Sequence, residues 1–300
     1  MAVGVSVVSN SFNCKKLIFR LLNALKKSSS KGIEVVVVDN GSVDGTLKEG
    51  KRKYKWVKWV DAGIKNLGWG GAYNVGFALS KKGNHVLLID SDVVPEKDMV
   101  EKLLRRLDFN QKIGIVTPMI LYLSDKKWVN QAGAEVNLWT GKVNIGWGPK
   151  EKFLVPKKVQ NSGTVLLIRN KVIEKVGGFD NWFTGYLDPD YCLRAAKAGY
   201  ETWYEARAIA YHDQSNDKKV WGPRIFNRAY LVGRNRTLFM RRHGKNILVY
   251  IVFIPVLWTY YLKEAINYGL LPKWFELVKG TLAGFIYPLS RRSKILLPKV

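Results

Sequence analysis

The sequence predicts an α/β fold in which a mostly parallel central sheet is flanked by helices and followed by a helical C-terminal tail. Three observations carry this. Apolar, largely β-branched runs recur at residues 3–8, 33–38 and 86–89 without polar alternation, as strands covered on both faces require. The segments between them carry helical periodicity, with Leu17, Leu21, Leu22 and Leu25 on one face of the first. From Ile247 the chain is apolar for 16 residues, to Leu262.

The elements follow in order. The opening MAVGVSVVSNSF lacks a basic segment and a small-residue cleavage site, so it reads as a first core strand and not a secretory signal. Asn13 is placed to cap the first helix. Residues 33–38 form the second strand, and Trp56, Val57, Trp59 and Val60 a short third. A helix over residues 71–80 leads to the strand 86–89, which ends at Asp90; a helix over 96–107 and a strand over 113–116 follow. The character shifts at Pro118: residues 119–160 are rich in Gly, Asn, Trp and Lys, consistent with hairpins and a mobile loop. A strand over 164–168, a turn at Gly177-Gly178 and a helix from about Asp190 to Ala198 restore regular structure.

A chain of 300 residues buries a core without metal or disulfide staples. Cys14 and Cys192 form no metal-ligand spacing or disulfide framework, which fits a reducing compartment. The net charge of +25 implies a polyanionic neighbour: nucleic acid, an anionic membrane face or phosphorylated substrates. Nine Lys or Arg and no acid fall in residues 218–245, just ahead of the apolar stretch.

Four constellations bear on chemistry, and strand ends, where open α/β sheets bind ligands, host the first of them. In Asp39-Asn40-Gly41-Ser42-Val43-Asp44, an ionised Asp39 can accept the imide N–H of a uracil or thymine ring. The same residue types equally make a tight strand-to-helix connection with Asp44 as N-cap. The loop from Asn66 to Gly76 has Tyr73 where a dinucleotide fingerprint needs its third glycine, and lacks the Gly-Lys-Ser/Thr of a P-loop. What remains is a backbone that approaches a ligand closely, with Asn66 and Asn74 offering amide hydrogen bonds.

Asp90-Ser91-Asp92 presents two carboxylates one residue apart after a buried strand. Hard cations such as Mg²⁺ or Mn²⁺ take oxygen donors and keep phosphate in their shell, so the pair suits a metal–diphosphate site; a plain helix cap leading to Pro95 is the other reading. In Tyr186-Leu187-Asp188-Pro189-Asp190, Pro189 suits a first helical turn and leaves Asp188 near the N-cap, placed for a general base. Asp190 and the nearby Trp182 are candidates for the acceptor side. His212, one of three histidines, is by itself as readily structural as functional.

Together, in this order and spacing, these motifs resemble the inverting family 2 glycosyltransferases of the GT-A nucleotide-diphospho-sugar transferase fold, nearest the rhamnosyltransferase-like branch, over roughly residues 3 to 240. The resemblance implies that Asp39 contacts the nucleobase and that Asn66 and Gly68 lie near the nucleotide, with Ser9, Asn74 and Ser91 assigned to the same donor site. It implies that Asp90 and Asp92 form the metal–diphosphate motif, that His212 is a further metal ligand, and that Asp188 is the catalytic base. The donor is then a nucleotide-diphosphate sugar, UDP- or dTDP-linked, and the acceptor a glycan or lipid-linked hydroxyl. The family usually carries an acidic pair at the base position; here Leu187 stands in place of the preceding Glu, which bears on acceptor binding.

The implied organisation is a catalytic domain over residues 1–240, with a nucleotide-binding half (1–117) and an acceptor-binding half (118–216), followed by a membrane-associating segment, 241–300. The apolar stretch is short of the ~20 residues of a spanning helix and contains Pro255, so an interfacial or re-entrant helix is expected. With basic flanks and Trp258, Tyr260, Tyr261, Trp274 and Phe275 suited to headgroups, it suggests a cytoplasmic protein peripheral on an anionic inner membrane face. Two other classes stay open. The basic stripe with Trp221, Phe226 and Tyr230 suits a nucleic-acid binder, although strand-end acids repel phosphate and no nucleic acid is expected. Leu187 suits a non-catalytic glycan-binding descendant of the fold.

Overall fold

The computed structural model describes residues 4–63, 66–181, 185–215 and 222–289. Trp182 and Trp221 lie outside the described residues. The first part of the chain alternates strands and helices: β1 Val5–Ser11, α1 Lys15–Leu25, β2 Glu34–Asp39, α2 Thr46–Lys53, β3 Lys58–Asp61, α3 Gly68–Leu79, β4 His85–Ile89, β5 Val93–Pro95 and α4 Met99–Asp108. Next come β6 Ile113–Tyr122, β7 Trp128–Gln131, β8 Ala134–Val136, β9 Val143–Ile145, β10 Gly148–Pro149, β11 Lys157–Val159, β12 Val165–Ile168, α5 Asn170–Val176, α6 Leu187–Lys197 and β13 Glu201–His212. Three helices close the described chain: α7 Ala229–His243, α8 Ile247–Asn267 and α9 Leu271–Ile286.

The main sheet runs β10-β7-β6-β12-β4-β1-β2-β3, with β13 beside β6 and bridging to β5 and β11. β1, β2, β3 and β4 are parallel, as their unbroken apolar runs require, whereas β12 inserts antiparallel between β4 and β6. Side-chain parity on β1 divides the core. Val5 and Val7 face Ile18, Leu21 and Leu22 of α1 and Leu103 of α4; Val8 faces Ala72 and Phe77 of α3 on the other side. Burying each such aliphatic side chain contributes roughly 1.5–3 kcal/mol.

Several expected boundaries move. Asn13 does not cap α1: Cys14 holds that position, and Asn13, at φ 49°, accepts the Val43 N–H instead. Strand β6 runs through Pro118 to Tyr122, because β13 pairs beside it in parallel as far as His212. α6 begins at Leu187, so Asp188 lies within its first turn, after Tyr186 as N-cap. The expected domain limit at residue 240 falls inside α7. α8 is a 21-residue helix that passes through Pro255 and continues over Lys263-Glu264. Among the described residues it is the one helix long and apolar enough to cross a membrane.

The C-terminal helices pack closely on one another through glycine. A Cβ at Gly280 of α9 would lie 2.0 Å from the Tyr230 carbonyl oxygen of α7, and one at Gly233 of α7 2.2 Å from the Leu277 carbonyl oxygen of α9. No larger residue permits this backbone approach.

Candidate active site

The C-terminal ends of β1 and β4, the end of β13 and the first turn of α6 converge on one cavity of about 780 Å³. Asn10, Tyr73, Asp90, Ser91, Asp92, Asp188 and His212 all line it. The assembly follows from strand register. β5 pairs antiparallel with β13 so that Val93 faces His212, and the Asp213 N–H donates to the Asp92 carbonyl at 2.9 Å. This pairing brings His212 Nε2 to 3.2 Å from Asp92 Oδ2.

The other ring nitrogen, Nδ1, lies 3.0 Å from Asn130 Oδ1 on β7, which can only accept. Nδ1 therefore carries a proton, and Nε2 meets Asp92 either as an imidazolium N–H or as a lone pair facing a second acceptor. The neutral form calls for a cation between the two atoms. Among the described residues no three His, Cys, Asp or Glu side chains form an all-protein metal cage. Mg²⁺ and Mn²⁺ sites of the phosphate-handling kind need only one or two protein ligands, the substrate's phosphates and water completing the shell. Asp92 and His212 fit that requirement.

Asp90 accepts a hydrogen bond from the Tyr73 hydroxyl, and burial, with the Asp92 charge adding, pushes its carboxyl up to about 6. Asp188 is raised to about 7, again by burial first and the Asp90 charge second. Two carboxyls poised near neutrality in one cleft give it the character of a functional site.

Other assigned residues serve the loops around the cavity. Asp39 is 1% exposed, its oxygens accepting from Ser11 Oγ at 2.8 Å and the Ser42 N–H at 2.9 Å. Asn66 Oδ1 accepts from Asn40 Nδ2 and from the Gly68 N–H, at 2.9 and 2.8 Å, fixing the entry to α3, where Gly68 has φ 68°. Ser91 Oγ accepts from Cys14 Sγ at 3.4 Å.

Asn74, Asp190 and Ser9, assigned to the site from the sequence, lie outside the cavity lining. Asn74 spends its amide on Phe179, receiving that N–H at 2.7 Å and donating to its carbonyl at 2.9 Å. It is a strut between α3 and the segment after α5. Asp190 points away from the cavity into a buried cluster, bonded to Arg194 Nε at 2.9 Å, Arg242 Nη1 at 2.9 Å and His243 Nε2 at 2.8 Å. Burial opposes its ionisation, but the His243 hydrogen bond and the Arg194 and Arg242 charges overcome this and hold it at about 2. Ser9 is fully buried away from the cavity; its neighbour Asn10 takes the ligand side, 6% exposed and with no partner for Nδ2 among the described residues. Parity along β1 gives the reason, since Asn10 follows Val8 on the α3 face.

Arg224 also lines the cavity, the one Lys or Arg among its described lining residues. The composition of the basic stretch signals a cation near here but not which one. Trp69 and Trp147 join it at the rim.

The fold is that of the GT-A transferases. The mannosyltransferase PcManGT from Pyrobaculum calidifontis, solved with GDP-Man and Mn²⁺, superposes with a TM-score of 0.57 over 93% of this chain and 75% of its own, at 18% identity. GalNAc-T7, solved with UDP, GalNAc and Mn²⁺, superposes with a TM-score of 0.59 over 78% of this chain and 51% of its own, at 16% identity. The family model for glycosyl transferase family 2 matches residues 6–177. The chain belongs to that family.

Among curated relatives, the probable glycosyltransferase YdaM of Bacillus subtilis is 30% identical over 63% of this chain, which spans 45% of the relative's length. The N-acetylglucosaminyl-diphospho-decaprenol L-rhamnosyltransferase of Mycobacterium tuberculosis is 24% identical over 77% of this chain and 78% of its own.

Proposed function

We propose that the protein is an inverting glycosyltransferase that moves a sugar from a nucleotide-diphosphate donor to an acceptor hydroxyl, with Asp188 as general base. The observation that carries this is the placement of Asp188, raised to about 7, in the same cavity as Asp90, Asp92 and His212. A base poised near the working pH is best matched to remove a hydroxyl proton as the oxygen attacks the anomeric carbon. One displacement from the face opposite the leaving group inverts that carbon.

Asp92 and His212, with Asp90 beside them, would hold Mg²⁺ or Mn²⁺, which when bound neutralises charge on the diphosphate. Asn10 Nδ2 is a free donor for the bound nucleotide, and Arg224 a second positive charge facing the diphosphate. Tyr73 holds Asp90 in place through its hydroxyl. The two solved neighbours hold nucleotide or nucleotide-sugar ligands with Mn²⁺, which supports a donor of this class. The donor half is residues 1–117 and the acceptor half 118–216.

The tail from residue 241 supports an address on the cytoplasmic side of an anionic membrane. α8 buries Tyr250, Ile254, Tyr261 and Ala265 against the body and leaves Leu248, Val252, Val256 and Tyr260 on its outer face. Such a helix lies in an interface as readily as it spans one. The basic stretch ahead of it is less suited to nucleic acid, because its arginines are used internally: Arg236 donates to the Tyr186 hydroxyl, Arg241 to the Gly284 and Tyr287 carbonyls, and Arg242 to Asp180 and Asp190.

The decisive test is incubation with a panel of UDP-, dTDP- and GDP-sugars and Mn²⁺, following release of nucleoside diphosphate and the anomeric configuration of the product by NMR. Inverted product supports the reading. Retention of configuration, or absence of turnover with every donor, defeats it.

A further inference from the structure

The β8–β9 hairpin and the first turn of α6 supply two walls of the cavity, and one hydroxyl joins them. Val143 and Ile145 line it from the hairpin, Leu187 and Asp188 from the helix. Tyr186 is the N-cap residue of α6, and its carbonyl accepts the Asp190 N–H at 3.0 Å, so its backbone sets where the turn that carries Asp188 begins. The side chain is buried against Phe239 of α7, ring centres 4.9 Å apart. Its hydroxyl donates to the Gly141 carbonyl, in the hairpin turn, at 2.8 Å.

A hydroxyl has one proton to give. Spent on Gly141, it leaves the oxygen as an acceptor, and Arg236 Nε of α7 donates to it at 2.9 Å. The guanidinium is held in turn over the Tyr261 ring of α8, 5.6 Å from its centre. The hairpin turn is itself braced: Asn137 Oδ1 accepts the Trp139 and Thr140 N–H groups at 2.9 and 3.2 Å, and the Asn137 and Gly141 N–H groups donate across the turn at 2.9 and 2.8 Å. It also rests directly on α7, since a Cβ at Gly141 would lie 3.1 Å from Arg236 Cγ. A phenyl ring would pack on Phe239 equally well. The oxygen is what ties hairpin, α6 and α7 together, and a buried polar network satisfied at every member fixes one geometry.

We propose that Tyr186 is a positioning residue, whose hydroxyl clamps the hairpin to the first turn of α6 and so holds Asp188 at a fixed place in the cavity. This rests on the glycosyltransferase reading with Asp188 as base. Gly141 and Tyr186 stand 45 positions apart in sequence, so bonding within the hairpin or within the helix does not set their spacing. Proton removal during attack tolerates little error: a displacement of about 1 Å costs on the order of 10²-fold in rate.

The test is Tyr186→Phe in the full chain, which deletes the hydroxyl and keeps the ring. Hydrogen exchange followed by mass spectrometry reads the clamp without any substrate. The amides of residues 137–142 and of Asp190 should exchange together, roughly ten-fold faster than in the wild type, while β1 and β4 keep their protection. With the donor that the nucleotide-sugar panel turns over, and water as acceptor, kcat for nucleoside diphosphate release should fall roughly ten- to hundred-fold, donor KM and UDP affinity staying at wild-type values. Unchanged exchange in either clamped segment, faster exchange in β1 and β4 as well, or a wild-type kcat overturns the proposal. Coupled exchange in a protein that turns over no donor of the panel defeats the transferase reading and leaves the link between hairpin and helix standing.

Discussion

Asp92 and His212 stand 120 positions apart in sequence and 3.2 Å apart in space, joined by the antiparallel pairing of β5 with β13. Asn130 completes the arrangement by accepting from His212 Nδ1, which turns Nε2 toward the carboxylate.

The Asn130 contact makes the first prediction. Asn130→Ala removes the group that fixes the ring's tautomer and orientation without touching either proposed ligand. Mn²⁺ affinity, read by isothermal titration in the presence of UDP, should fall roughly ten- to hundred-fold. Unchanged Mn²⁺ affinity would separate His212 from the metal.

Asp188 makes the second. Its carboxyl, raised to about 7, is protonated and inactive as a base below that value, so kcat/KM should fall as pH drops through about 7. Mn²⁺ loading should move this limb to lower pH, since a nearby cation favours the carboxylate. Asp188→Asn should cost roughly 10²–10⁴ in kcat with UDP affinity retained. A wild-type rate in the variant removes Asp188 from its role.

Asp190 behaves in the opposite sense. Its folded value of about 2 lies below the ordinary 3.8, so the carboxylate contributes stability above about pH 4 that is lost as pH falls through about 2. Asp190→Asn leaves Arg194 and Arg242 short of a buried counter-charge and should lower stability by about 3–5 kcal/mol at pH 7. Denaturant midpoints of both proteins at pH 7 and pH 2.5 check this: the gap should narrow on acidification.

Gly280 provides a packing test. With a Cβ 2.0 Å from the Tyr230 carbonyl, Gly280→Ala must push α9 off α7, at a cost of about 1–3 kcal/mol. Thermal unfolding should shift to lower temperature. A variant as stable as wild type would show that the two helices slide freely.

Much of this was legible in the sequence, for physical reasons that can be named. A strand buried on both faces must release its chain at one edge, so the acids after residues 86–89 were bound to meet there. Strand parity on β1 was equally available and selects Asn10 over Ser9. What stayed hidden depends on partners from distant elements. Asn74 and Asp190 have the composition of ligand residues, yet Phe179 saturates one and Arg242 and His243 the other. The reach of α8 was also hidden, because Pro255 reads as a breaker and Lys263-Glu264 as an end; a helix with one open face tolerates both.

The position of α7 bears on how this enzyme can be dismantled. Its last turn supplies Arg242 and His243 to the buried acids beside the base, and after three intervening residues the apolar helix begins. A cut at residue 240, where sequence places the end of the catalytic part, would take Arg242 from Asp180 and both Arg242 and His243 from Asp190. Tail and catalytic body are thus not interchangeable cassettes: grafting the helical tail onto a relative, or removing it, must carry α7 whole.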